Sequence, residues 1–201
     1  MSIHLFSPTL ETDPKCPRCE EHYGHRKLGD EILCESCYER KTMIKGGHAI
    51  MLRVELPEYL LTSLGRGYMG EVIAPHVTLA FVGRNLPEAI GGVLLEAAEF
   101  AIRSGAVPDY IGLSGKYDLF GGKKDHLVAL VEQDFNLIRL RDMILHRLFD
   151  NDVRLATTFA FNPHVSLMKL DAPESVPGDG IPSMVRVLGI DVKIGDRIES
   201  L

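Results

Sequence analysis

Two near-identical pentapeptides constrain the fold of this chain more than any other feature. They read Pro75-His76-Val77-Thr78-Leu79 and Pro163-His164-Val165-Ser166-Leu167, with equivalent positions 88 residues apart. In an extended strand alternate side chains point to opposite faces, so each copy would place a histidine and a hydroxyl on one face and two apolar side chains on the other. The pattern predicts two strands, each with a buried apolar side and a polar side.

Each motif combines a proton carrier with a hydrogen-bond donor. A histidine can give or take a proton near neutral pH, and a neighbouring hydroxyl can donate to an anionic oxygen. One His-x-Thr pattern alone is uninformative, because most strand histidines are satisfied by an ordinary hydrogen bond. The duplication favours a function, since two such pairs facing each other would bracket a phosphate. His76, Thr78, His164 and Ser166 are therefore the candidate catalytic residues.

The twin motifs resemble the signature of the two-histidine (2H) phosphoesterases, the superfamily of RNA 2′,3′-cyclic phosphodiesterases and 2′-5′ RNA ligases. The resemblance covers about three quarters of the chain, from Gly46 to the C-terminus. Residues 48–57 resemble the family's opening strand, and residues 112–121 resemble its central strand running into an aromatic-glycine turn. Ser166 stands where threonine is commoner in the family, which keeps the hydroxyl.

The resemblance implies an α+β fold of two pseudo-symmetric lobes, with mainly antiparallel sheets around a central cleft and the helices outside. It also implies hydrolysis of a phosphodiester without a catalytic metal, with one histidine as base and the other as acid. Candidate substrates are RNA ends with a cyclic phosphate, 2′-5′ oligoadenylates, cyclic dinucleotides and ADP-ribose cyclic phosphate. The sequence does not assign which histidine is the base.

The hydrophobic pattern itself also predicts an α+β domain, because strands and helices occur in roughly equal number. Strands are expected over residues 48–56, 72–82, 110–113, 126–132, 157–170 and 184–194. Helices are expected to begin near residue 57 and to run from about 86 to 104 and from about 134 to 149.

All four cysteines lie in the first 37 residues, in two CxxC pairs separated by 14 residues. Two such pairs can supply the four sulfurs of a tetrahedral structural zinc site. Two disulfides and a redox CxxC are the alternatives, but disulfides are typical of secreted proteins and a redox site needs only one pair. The predicted zinc ligands are Cys16, Cys19, Cys34 and Cys37.

The cysteines divide the chain into an N-terminal arm with a zinc ribbon, residues 1–45, and a phosphoesterase-like domain, residues 46–201. A module this small cannot bury enough apolar surface to fold alone, so one zinc would supply most of its folding free energy. Four sulfur ligands would leave no open position for chemistry. Basic residues of the ribbon could contact nucleic acid, and a protein contact is equally open.

Composition limits the partners of the chain. The formal net charge is −6 over 201 residues, which argues against a protein that coats nucleic acid with a broad basic surface. A nucleotide substrate should therefore be small or gripped locally. Apolar runs fall well short of the roughly 20 residues of a membrane span, and the N-terminus lacks a secretion signal. The expectation is a cytoplasmic protein with no membrane partner.

Aromatic and basic residues near the motifs are the candidates for substrate binding. Phe120, Phe161 and Tyr68 could each stack on a base, and each could equally be a core aromatic. Lys123 and Lys124 follow two glycines in an expected turn and could reach a phosphate, although a solvated turn explains them as well.

The main alternative to an enzyme is a binding protein that captures a nucleotide or an RNA end without turnover. Its zinc ribbon would then serve as the RNA or protein contact. The two complete pairs of histidine and hydroxyl favour the enzyme, because a protein that only binds has little need of both pairs.

Overall fold

In the computed structural model the chain divides into two compact units, residues 1–44 and 45–201. The structure describes residues 15, 17, 19, 26–28, 31–34, 36, 37, 42–132, 134–156, 160–171 and 180–201. No helix in this part of the chain is long and apolar enough to cross a membrane.

A short antiparallel hairpin lies between the two CxxC pairs in the first unit. Its strands are β1 (Arg26–Leu28) and β2 (Glu31–Leu33), with Leu28 opposite Glu31. The excursion expected between the cysteine pairs is therefore present, and the turn predicted at Gly29 and Asp30 lies outside the described residues.

From Met43 onward the described chain forms seven strands and three helices. The strands are β3 (Met43–Glu55), β4 (Gly70–Pro87), β5 (Tyr110–Phe120), β6 (His126–Val131), β7 (His164–Leu170), β8 (Met184–Gly195) and β9 (Arg197–Ser200). The helices are α1 (Glu58–Gly67), α2 (Glu88–Arg103) and α3 (Phe135–Asp150). The expected α+β class is confirmed.

The seven strands belong to one sheet with the order β3-β4-β7-β6-β5-β8-β9. An additional antiparallel pairing joins β3 to β8, which connects the first and sixth strands of this order. The strands from β3 to β8 therefore form a closed circuit of hydrogen-bonded neighbours, with β9 added to β8. The sheets expected for the two lobes are therefore joined into one hydrogen-bonded sheet.

Each helix begins where the sequence predicts a start. α1 and α2 follow Pro57 and Pro87, whose fixed φ suits a helix start, and each has a glutamate in its first turn. α3 follows Asp134, whose carboxylate accepts a hydrogen bond from the backbone N–H of Asn136.

The alternation of side chains along β8 separates the core from the open face of the sheet. Ile190, Val192 and Ile194 are almost fully buried, and a Cβ at Gly91 of α2 would lie only 3.0 Å from the Ile194 side chain. Asp191 and Lys193 lie between these residues in sequence and so point away from the helix.

The structure extends three predicted strands, shortens one and adds one, and β3 begins at Met43, five residues before the expected start. β4 runs on to Pro87, and β5 continues to Phe120 past an irregularity of its ladder between Leu113 and Tyr117. β7 begins only at His164, since Pro163 has no N–H to give to a ladder. The sequence pattern does not reveal β9, which has four residues and is mostly exposed.

Candidate active site

The two motifs lie side by side because β4 and β7 pair directly with each other. His76 is opposite Ser166, and Val77 is opposite Val165, in this antiparallel ladder. The same register carried one residue further sets Thr78 opposite His164. Opposite residues in such a ladder share a face, with Cα atoms about 4.5 to 5.5 Å apart. The histidine of each motif therefore neighbours the hydroxyl of the other.

Burial separates the two faces of the motifs as the sequence predicts. The apolar residues are at most 1% exposed and belong to the core: Val77, Leu79, Val165 and Leu167. On the other face His76, Thr78 and His164 are half-buried, and Ser166 is nearly buried. The four polar side chains thus lie on one partly desolvated surface.

Pro75 marks the point where regular pairing begins in the first motif. The ladder between β4 and β7 is irregular between Val72 and His76 and resumes at His76. A proline has no N–H to give to a ladder, so sheets tolerate it at such irregularities. Pro163 stands at the equivalent place, immediately before the first residue of β7.

The two imidazole rings are held in the same way. His76 Nδ1 lies 2.7 Å from the carbonyl oxygen of Ala74, and His164 Nδ1 lies 2.9 Å from the carbonyl oxygen of Asn162. A carbonyl oxygen can only accept, so each Nδ1 carries the proton and donates it. Each Nε2 is consequently the atom that can accept or release a proton during a reaction.

Desolvation by burial lowers the pKa of both histidines from the ordinary value of 6.5, and the carbonyl hydrogen bonds oppose this in part. Around His76, Lys193 lowers the pKa further and Asp191 raises it. For His164, the charges of His76 and His126 lower the pKa further. Because protonation of His76 disfavours protonation of His164, the pair favours states with no more than one added proton.

A pocket of about 360 Å³ opens beside Thr78 and His164. The ring of Phe120 forms part of its wall and lies 4.4 Å from the His164 ring, measured between centroids, with 57° between the planes. Phe161 also lines the pocket. Its volume is within the range of about 300 to 1,000 Å³ that is typical of small-molecule sites.

Arg141 of α3 lines the same pocket and is fixed by two contacts. Its Nε donates to the carbonyl oxygen of Leu79 at 3.1 Å, and its guanidinium carbon lies 4.4 Å from the centroid of the Phe161 ring. Desolvation by burial lowers the pKa of this guanidinium, and Asp142 opposes the shift. Burial of the charge is therefore only partly compensated within the described part of the protein.

The structure brings two of the five proposed substrate-binding residues, Phe120 and Phe161, to the pocket. Tyr68 instead lies near Tyr117. The pKa of Tyr117 is raised mainly by desolvation on burial and, to a smaller extent, by the charge of Tyr68. Tyr117 is opposite Ala129, and Ala129 is opposite Val165, so Tyr117 lies on the core face of the sheet.

Lys123 and Lys124 are exposed in the turn between β5 and β6. The backbone N–H of Lys124 donates to the carbonyl oxygen of Gly121 at 3.0 Å and closes the turn. Gly121 has φ +90, and a Cβ there would come within 2.9 Å of the Asp125 carboxylate. The aromatic-glycine turn of the sequence is thus a tight turn, and neither lysine lines the pocket.

Sequence reasoning missed three charged residues that the structure places near the motif residues: Arg141, Asp191 and Lys193. One signal could have indicated Arg141, because it falls four residues after Leu137 on the otherwise apolar side of α3. Asp191 and Lys193 give no comparable signal, since alternating charges along a strand are typical of a solvated face.

The geometry of three cysteines in the first unit fits a metal site. The Sγ atoms of Cys19, Cys34 and Cys37 lie within 4.8 Å of one another, and those of Cys19 and Cys34 are 3.7 Å apart. Four sulfurs at about 2.3 Å from a tetrahedral zinc would be about 3.8 Å apart, which matches this spacing. Cys34 and Cys37 are buried, and Cys16 lies outside the described residues.

Comparisons with known proteins bear on the fold. No family model matches the chain, and no curated protein matches it in sequence. A phosphoesterase matches with a TM-score of 0.51 at 18% identity, over 77% of this chain and 95% of that one. The MHV ns2 PDE domain matches with a TM-score of 0.52 at 15% identity, over 74% of this chain and 97% of that domain. E. coli LigT complexed with 3′-AMP matches with a TM-score of 0.50 at 18% identity, over 77% of this chain and 95% of LigT.

These solved proteins are a phosphoesterase, a PDE domain and LigT, and at such identities their likeness to this chain establishes the fold alone. The resemblance carried by the twin motifs is confirmed at that level. Over about three quarters of its length, the chain has the fold of these solved proteins.

Proposed function

We propose that the protein is a phosphodiesterase that hydrolyses a 2′,3′-cyclic, 2′-5′ or cyclic (oligo)nucleotide phosphodiester without a catalytic metal. The observation that carries this proposal is the arrangement of the motifs on one half-buried face, with His76 opposite Ser166 and with Thr78 and His164 lining one pocket. Two proton carriers and two hydroxyl donors are the groups that such a hydrolysis requires.

The two histidines divide the proton transfers. One neutral imidazole takes a proton from water at Nε2 while the water oxygen forms its bond to phosphorus. The bond between phosphorus and the departing ribose oxygen breaks, and the other, protonated imidazole gives that oxygen its Nε2 proton. One proton has then entered the first ring and one has left the second, and exchange with solvent restores both rings.

Thr78 and Ser166 donate hydrogen bonds to the non-bridging phosphoryl oxygens. Hydrogen bonds to an ionised group are about twice as strong as neutral ones, and their contribution grows as charge develops in the transition state. The anionic phosphate also stabilises a protonated imidazole, which offsets the burial that lowers the pKa of both histidines in the free protein.

The solved proteins with this fold support a nucleotide substrate. They include a phosphoesterase, a PDE domain and LigT complexed with 3′-AMP. The pocket of about 360 Å³ and the net charge of −6 further favour a small nucleotide over a long RNA.

The experiment that tests the function is a substrate panel in the presence of EDTA. The panel contains 2′,3′-cyclic mononucleotides, 2′-5′ oligoadenylates, cyclic dinucleotides and RNA with a cyclic-phosphate end. The expected result is turnover of one class by the wild type and strongly reduced turnover by His76→Ala and His164→Ala. Binding of a nucleotide without turnover of any class would favour the binding protein instead.

We also propose that Cys16, Cys19, Cys34 and Cys37 hold one structural zinc and that residues 1–45 form a module distinct from the phosphoesterase domain, residues 46–201. The sulfur spacing of the three described cysteines supports a four-sulfur site. The module would offer a surface for nucleic acid or for a protein partner.

A further inference from the structure

The pocket beside Thr78 and His164 contains a cation that the hydrolysis does not use. Arg141 lines this pocket, and a smaller pocket of about 180 Å³ is also lined by Arg141 and Phe161. The guanidinium therefore borders two pockets. A ligand in the larger pocket would lie against Thr78, His164 and Arg141.

The orientation of Arg141 is set without using its terminal nitrogens. Nε is committed to the carbonyl oxygen of Leu79, and the flat face of the guanidinium rests on the ring of Phe161. Among the described residues no hydrogen bond or ion pair engages the two terminal nitrogens of Arg141, and no carboxylate lies within ion-pair distance. Two adjacent N–H groups of a fixed guanidinium are the geometry that binds a phosphate in bidentate fashion.

The charge balance of the pocket also favours an anion. Apart from Arg141, the described residues that line the pocket carry apolar, aromatic, hydroxyl, amide or imidazole side chains. None of these side chains is acidic, so none repels a phosphate. Burial of the guanidinium costs free energy that only an opposite charge recovers fully.

We propose that Arg141 forms a second phosphate subsite, so that the preferred substrate carries another phosphate one nucleoside away from the phosphodiester that is cleaved. The proposal rests on the proposed function and narrows its substrate class. The second phosphate could be a terminal 5′-phosphate or the next internal phosphodiester, and both present two non-bridging oxygens to the guanidinium. Phe120 and Phe161 would flank the nucleoside between the two phosphates.

The kinetic test compares three substrates with the same cyclic end. They are adenosine 2′,3′-cyclic phosphate, its 5′-phosphorylated form, and the dinucleotide ApA with a 2′,3′-cyclic phosphate. The wild type should prefer the 5′-phosphorylated form or the dinucleotide over the first substrate by roughly 10- to 100-fold in kcat/KM, the value of one charge-assisted hydrogen-bonded pair. Which of the two is preferred identifies the source of the phosphate.

Arg141→Gln should remove this preference, so that the three substrates approach equal kcat/KM, and Arg141→Lys should keep part of it. Arg147→Gln is the matched control, because Arg147 lies on the same helix and stacks on Phe100 at 4.1 Å without lining the pocket. If Arg141→Gln lowers kcat/KM for all three substrates equally, or the wild type shows no preference, the subsite is refuted.

A binding measurement separates failure of the subsite from failure of the proposed function. Calorimetry compares adenosine 3′,5′-bisphosphate with adenosine 3′-monophosphate on the wild type and on Arg141→Gln. Tighter binding of the bisphosphate to the wild type alone supports the subsite even if no substrate is turned over. Equal affinity of the two nucleotides for the wild type, or a bisphosphate preference that Arg141→Gln retains, overturns it.

Discussion

His76 and Ser166, which come from different motifs, are direct partners in the ladder between β4 and β7. Backbone hydrogen bonds of one sheet therefore hold the proton carriers and the hydroxyl donors together. Their side chains lie on the open face, opposite the buried Val77 and Val165. Substitutions on this face should consequently change the chemistry with little effect on the fold.

Substitution of either histidine by alanine removes one proton-transfer step. We expect His76→Ala and His164→Ala each to lower turnover by roughly 10² to 10⁴. The double variant should be hardly worse than the worse single variant, because the two groups act as one unit. Steady-state kinetics on the substrate found in the panel would measure this, with the exposed His146→Ala as control. Wild-type turnover in either single variant would exclude two-histidine catalysis.

Loss of a hydroxyl should cost less than loss of a histidine. Thr78→Ala and Ser166→Ala are expected to lower kcat by roughly 10- to 10³-fold, since each removes one donor to the phosphoryl oxygens. Thr78→Ser and Ser166→Thr keep the donor and should retain most of the activity. Equal losses in the alanine and the hydroxyl-exchange variants would show that side-chain shape matters here and the hydroxyl does not.

Two charges on β8 should move the titration of His76 in opposite directions. Lys193 lowers the pKa of His76 and Asp191 raises it, with burial as the largest cause of the net lowering. Lys193→Gln should therefore shift the His76 limb of the pH–rate profile to higher pH, and Asp191→Asn should shift it to lower pH. NMR titration of the His76 ring would check both signs independently. Shifts of the same sign in both variants would contradict the arrangement.

His48 should make folding stability depend on pH. It is 0% exposed, and desolvation by burial lowers its pKa from 6.5, opposed in part by the backbone of Gly46. The unfolded chain then binds more protons than the folded protein below that value. The free energy of unfolding is thus fully retained above about pH 6.5 and falls as the pH drops from there towards the lowered pKa.

Urea unfolding at about pH 7.5 and about pH 5.5 would measure this effect. His48→Leu should reduce the loss of stability at the lower pH, and His76 and His164 should account for part of the remainder because their pKa values are also lowered. The exposed His146→Leu serves as control and should behave like the wild type. An unchanged pH dependence in His48→Leu would contradict the role of the buried ring.

The cysteine cluster predicts one zinc per chain with four sulfur ligands. Cys34→Ser should release the metal and unfold the first unit, while residues 45–201 keep their fold because that unit has its own core. Elemental analysis and NMR would follow the two effects separately. Protein purified without chelators that contains no zinc, or a cooperative collapse of both units in Cys34→Ser, would contradict this.

The sequence was sufficient to predict the motif strands because their polarity follows a simple alternation. Val77 and Val165 are buried, and His76 and His164 are not, as period-two patterning requires. The three helix starts were equally accessible, since Pro57, Pro87 and Asp134 are local signals.

Other features depend on register between distant segments and were not accessible from local patterns. Direct pairing of His76 with Ser166 follows from the order of strands in the sheet. The position of Arg141 in the pocket depends on how α3 packs against β4, where its Nε meets the Leu79 carbonyl. Conversely, Tyr68 is close to the first motif in sequence but does not line the pocket.

The contacts of His76 and His164 with the carbonyl oxygens of Ala74 and Asn162 make two peptide groups part of the proposed acid–base pair. Because both acceptors are backbone oxygens, the two motifs can hold their histidines in the same way although residue 74 is alanine and residue 162 is asparagine. No side-chain substitution can delete these acceptors. An amide-to-ester replacement that weakens one carbonyl would alter the basicity of a single ring, so the twin histidines could be tuned one at a time with every side chain left in place.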